Sequence, residues 1–105
     1  MEETVDTLRI LSQQRRLAIV TALKEADEPL TTDELAREVA FRELGIYPSE
    51  LTESQLRKIR LSFHHVHLPK LVAADVVEYT PSGDTVRLTA ESTDVQRIVD
   101  VVFRD

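Results

Sequence analysis

The chain has 105 residues, 42% of them hydrophobic and 30% charged, with 19 acidic against 13 basic side chains and a formal net charge of −6. That length carries one hydrophobic core rather than two, so a single domain over residues 1–105 is expected, of globular rather than disordered composition. The absence of cysteine excludes disulfides and thiolate chemistry, no run of about 18 apolar residues offers a membrane span, and the acidic start MEETVD does not fit a signal peptide, which makes the cytoplasm the expected compartment.

Residues 5–26 read as helical, because Leu8, Leu11, Leu17, Val20 and Leu23 recur at helical spacing with polar residues between them. Ser12 is a candidate N-cap that would split this segment into a short lead-in and a main helix from Gln13 to about Ala26, closed by Pro29. Arg15 and Arg16 near its start are expected to pair with nearby acids rather than to touch phosphate. In LTTDELAREVAFRELG, Thr31 and Glu34 have the spacing of a capping box, in which the hydroxyl accepts from the third amide and the glutamate reaches back. Leu35, Ala36, Val39 and Ala40 form a narrow apolar stripe for close helix packing, and Gly45 is placed as a left-handed C-terminal cap.

The same start signal returns in LTESQL, where Thr52 and Gln55 make a second box. Leu56, Ile59, Phe63 and Val66 then define an inward stripe, and Pro69 predicts a kink or break near Val66–Leu68. From Val76 the apolar period changes to two. VVEYT and TVRLT flank PSGD, the pattern of a β-hairpin. Residues 91–104 read as a final helix with an apolar face of Val95, Ile98, Val99, Val102 and Phe103, a candidate homodimer interface. The fold class expected is α+β, mainly α: three helices, a hairpin and a C-terminal helix, the element order of a winged helix-turn-helix.

The charge is unevenly spread. Residues 1–53 carry a net −6 and residues 75–105 a net −4, whereas residues 54–74 hold Arg57, Lys58, Arg60 and Lys70, all three histidines and no carboxylate. With the inward stripe fixed, Arg57, Lys58, Arg60, Leu61, His64 and His65 fall on the outward arc, and Ser54 and Gln55 lie in the first turn, where recognition helices meet bases. An arginine donates in a fork to guanine O6 and N7, and lysine contacts phosphate. Arg87 in the second strand is a further candidate for phosphate contact, although the short acidic tip Ser82-Gly83-Asp84 does not suit deep insertion into a minor groove. Double-stranded DNA is thus the expected partner, read by the third helix. The competing expectation is a protein–protein interaction module that never touches DNA.

Other chemistry has little support. His64 and His67 lie near each other on a helix, but His65 points about 100° away, and a zinc site needs three or four converging ligands. No metal or cofactor is expected. Two glycines build no phosphate-cradling loop, and no catalytic motif occurs, so an enzyme is not expected.

Residues 67–89, HLPKLVAADVVEYTPSGDTVRLT, resemble the end of a recognition helix, a turn and a wing in ArsR- and MarR-type regulators, whose pattern His-Leu-x-x-Leu-x-x-Ala-Gly-Leu-Val is met here with Asp75 in place of the glycine. The whole chain is similar to a haloarchaeal winged-helix family of unknown function over about residues 8–89. The resemblance rests on Leu11-Ser12-Gln13-Gln14-Arg15-Arg16, Thr31-Thr32-Asp33-Glu34-Leu35-Ala36 and His67-Leu68-Pro69-Lys70-Leu71 in that order. It implies a DNA-binding domain with a regulatory role in transcription. The acidic, lysine-poor composition, with 10 arginines to three lysines, also resembles that of proteins from salt-in halophilic archaea. One departure stands out. The connector Gly45–Glu50 is longer than the usual helix-turn-helix link of about 3–4 residues.

Overall fold

The computed structural model describes the backbone of residues 2–89 and the side chains of residues 12–89. The expected final helix at 91–104, and with it the dimer residues Val95, Ile98, Val99, Val102 and Phe103, lies outside the described residues.

Helix α1 runs without interruption from Glu2 to Ala26, so Ser12 is an interior residue and not a cap. The residues after it, Gln-Gln-Arg-Arg-Leu-Ala, are good helix formers and carry the helix through. Its buried face is Arg16, Ile19, Val20 and Leu23, with Ala18 and Ala22 beside them. Leu17, expected inside, is 39% exposed, because the buried stripe runs one residue to its N-terminal side. Asp27 takes a left-handed conformation (φ 60°) that stops the helix before Pro29.

A two-residue strand, β1 (Leu30–Thr31), precedes α2 (Thr32–Leu44) and was not foreseen, since two residues show no period. The α2 capping box forms as expected, with the Glu34 amide donating to Thr31 Oγ1 at 3.0 Å and the Thr31 amide to Glu34 Oε1 at 2.9 Å. Gly45 closes the helix at φ 68°, where a Cβ would be strained. Leu35, Ala36, Val39 and Ala40 are all fully buried, so the small-residue stripe lets α2 pack closely. The connector is anchored by Ile46 and Leu51, both packed against the core.

Helix α3 (Glu53–Ser62) opens with the second capping box, Gln55 N–H to Thr52 Oγ1 at 3.1 Å and Thr52 N–H to Gln55 Oε1 at 3.0 Å. It continues through a π-helical turn, Phe63–His67, into α4 (Leu68–Ala73). The break expected from Pro69 is realised as this wide turn. Proline has no amide and its ring crowds the carbonyl four residues back, and a turn in which the Leu68 amide reaches the Phe63 carbonyl relieves both. The extra residue rotates the chain, so Val66, expected inside, is 47% exposed, while His67 and Leu68 take the buried place below Phe63.

Asp75 then adopts φ 64°, the left-handed position for which glycine is the default and to which aspartate is among the better adapted alternatives. Strands β2 (Val77–Thr80) and β3 (Thr85–Leu88) pair antiparallel as the expected hairpin, with Glu78 opposite Arg87, and β3 pairs on its other edge with β1 through Leu30 and Val86. The sheet order is β1-β3-β2. The molecule is α+β and mainly helical, its core formed where α1, α2, α3 and α4 meet one face of this sheet around Phe63, Ile19, Leu35, Leu71, Val39 and Val86. No described helix is long and apolar enough to cross a membrane.

Candidate nucleic-acid interface

The outward face of α3 is set by its buried one. Leu56, Ile59 and Phe63 point into the core, which leaves Ser54, Arg57, Lys58, Leu61, His64 and His65 exposed along the opposite side. Gln55 is exposed too, but its Oε1 is committed to the Thr52 amide, so only its amide nitrogen remains to donate outward.

Arginine pairing separates this face from the rest of the described surface. Arg15 forks onto Glu43 (Nε–Oε2 2.8 Å, Nη2–Oε1 3.1 Å) and donates to Ser62 Oγ at 3.1 Å, joining α1, α2 and the end of α3. Arg37 pairs with Asp33 at 2.8 Å, Arg42 with Glu25 at 2.6 Å and Glu38 at 3.0 Å, and Arg87 with Glu78 across the hairpin. Hydrogen bonds to those acids raise the Arg37 and Arg42 pKa values, and the bond from Arg42 lowers that of Glu25. Arg57 and Lys58, by contrast, make no ion pair or hydrogen bond with any described residue. Arg87, a candidate for phosphate contact, would have to give up Glu78 to make one.

Arg60 differs from the expectation. It is half-buried rather than outward, and its Nε is shielded from solvent without a partner. Its charge, with that of His64, bears on Asp84 at the end of the hairpin turn. Asp84 is left-handed at φ 51° and collects three contacts. Thr32 Oγ1 donates to Oδ2 at 2.5 Å, Tyr79 Oη to Oδ1 at 2.7 Å, and the Thr32 amide to its carbonyl at 2.9 Å. These bonds, Thr32 first, hold the Asp84 carboxyl below its usual range, and the same contact raises the Tyr79 phenol. His64 lies edge-on to the Tyr79 ring, centroids 5.8 Å apart. The hairpin tip is therefore tied to the start of α2 and sits beside α3. Sequence reasoning missed this hub, because Thr32 lies 52 residues from Asp84 in a pattern-free position; only the aspartate in PSGD gave a local signal.

His67 is buried, and Nδ1 has no hydrogen-bond partner. Burial, then the charges of Arg16, Arg15 and Lys70, push its pKa down to about 4, so it is a neutral core side chain at pH 7. Arg16 is itself 2% exposed, a core position and not a phosphate contact. Among the described residues no three of the side chains able to bind metal converge.

Residues 8–87 match the family model of a domain of unknown function, DUF7344. The chain belongs to the DUF7344 family. No curated protein and no solved structure matches it.

Proposed function

We propose that this DUF7344 protein is a winged helix-turn-helix regulator of transcription that binds double-stranded DNA through α3, with β2 and β3 as its wing. The observation that carries this reading is the pair of exposed cations Arg57 and Lys58, which have no ion-pair or hydrogen-bond partner among the described residues even though Glu53 stands one turn before Arg57 on the same helix. A cation that no carboxylate engages keeps its charge for phosphate or a guanine edge. The three-stranded sheet of order β1-β3-β2, in which β2 and β3 form the hairpin, supports the fold assignment. Arg60, half-buried, is set back from this face and is not assigned a base contact. A homodimer on a two-fold operator, and a cytoplasmic location, belong to the same proposal.

The net charge of −6 does not oppose it, because a local basic face acts within an acidic molecule. At molar salt the Debye length is about 3 Å and counterion release contributes little, so binding there rests on direct base contacts. The test is selection of bound duplexes from a random-sequence pool in dilute and in molar KCl. One enriched motif retained in both supports the reading; no enrichment over the starting pool overturns it.

A second reading has one specific observation behind it. Phe41, Leu44 and Tyr47 are exposed at the end of α2 and in the long connector, and the Phe41 and Tyr47 rings lie 5.4 Å apart. Under this reading the patch takes a protein partner and α3 takes none. Loss of that partner on Tyr47→Ser, together with no DNA motif, would favour it.

A further inference from the structure

Leu61 is 49% exposed and sits in the middle of the α3 face, not at its edge. Arg57 and Lys58 precede it by four and three residues, and His64 and His65 follow by three and four, so all four flank it on the same side of the helix. The other large exposed apolar residues lie elsewhere: Phe41, Leu44 and Tyr47 around the connector, Leu17 on α1, Val66 in the π turn and Val72 on α4. Its isobutyl group, set among polar side chains, is not one of the apolar groups packed against the core. A polar residue there would be better hydrated and equally helical. The base edge that complements it is the one apolar group in the major groove, the C5-methyl of thymine.

We propose that Leu61 reads a thymine C5-methyl in the DNA site, next to the base pair contacted by Arg57. The inference rests on the DNA-binding reading of α3. Four residues of helix advance about 6 Å, against about 3.4 Å per base pair, which separates the two contacts by one or two base pairs. Arg57 supplies hydrogen-bond discrimination for guanine, and Leu61 adds methyl discrimination that no hydrogen bond provides.

The test uses the duplex selected from the random pool, with each thymine replaced in turn by deoxyuridine, which lacks only the methyl. Removal of one methyl contact is expected to weaken wild-type binding roughly 3- to 5-fold at a single position and not elsewhere. Leu61→Ala is expected to bind the thymine and deoxyuridine duplexes equally, and Leu61→Met to restore part of the difference. Because the side chain is half in solvent, neither substitution opens the core, and an unchanged unfolding midpoint checks this. Wild-type tolerance of deoxyuridine at every position, or discrimination that survives in Leu61→Ala, overturns the proposal while leaving DNA binding in place. Failure to select any duplex overturns the DNA-binding reading itself, so the two failures are distinguishable.

Discussion

Helices α2 and α3 begin with the same device and end in opposite electrostatic states. Each opens on a threonine capping box completed by a Glu or Gln three residues on. In α2 both arginines are taken up, Arg37 by Asp33 and Arg42 by Glu38 and Glu25, and the opposite face is buried through five residues. In α3 Arg57 and Lys58 have no partner among the described residues, and only Leu56 and Ile59 are buried before the π turn. The capping box decides where a helix starts. Asp33 pairs with Arg37 four residues on, whereas Glu53, at the same spacing in α3, does not pair with Arg57, so the same placement ends in different electrostatic states.

The first way to break this comparison is at the core residue that orients α3. Phe63 is fully buried at the start of the π turn, and Phe63→Ala should cost about 3–5 kcal/mol, read as a lowered urea midpoint, with DNA binding lost through unfolding. A loss below about 1 kcal/mol would mean that α3 is not held by its inward stripe.

Next in size is the pH dependence of the turn that follows α3. The unfolded chain takes up a proton at His67 near the ordinary 6.5, while the folded one does so only near 4. Between those values the unfolded state binds more protons, so stability rises with pH. The contribution is complete above pH 6.5 and is lost as pH falls toward 4. It corresponds to roughly 2 kcal/mol between pH 7 and pH 5. The carboxyls of Glu25 and Asp84, held below their usual range, act in the same direction but at lower pH. Urea unfolding at pH 7 and pH 5 should show the drop in wild type and not in His67→Gln.

The smallest effects sharpen the comparison most. Thr31→Ala and Thr52→Ala should each destabilise by about 1 kcal/mol, because both remove one cap hydrogen bond. Only Thr52→Ala should also weaken DNA binding, since fraying the first turn of α3 loosens Ser54 and Arg57. Equal effects of the two on binding would show that α3 is not special.

Much of this was written locally. The two capping boxes, the Gly45 cap and the hairpin depend on residues within a few positions of one another, and each appears where its pattern placed it. Pro69 announced a disruption but not its form. A π turn satisfies the same steric demand as a kink, yet it shifts the buried face by one residue, and so Val66, placed inside by periodicity, is exposed and His67 is buried. Strand β1 exists only because Leu30 and Thr31 meet Val86 and Thr85, a contact that no two-residue segment reveals. The basic arc was visible as composition, but the division within it was not. Arg60 is half-buried with its Nε shielded from solvent, while Arg57 is exposed, a difference that depends on packing and not on spacing along the helix.

The central claim is that unpartnered cations on α3, and not basic charge in general, bind DNA. Two double variants test it, Arg57→Ala with Lys58→Ala and Arg37→Ala with Arg42→Ala, measured by fluorescence anisotropy on the selected duplex. Both remove two positive charges, so any effect of net charge is shared. The account predicts at least a 10-fold loss and a salt slope reduced by about one to two for the α3 variant, with affinity unchanged for the α2 variant. Equal losses in the two, or full affinity in a folded α3 variant, would contradict it.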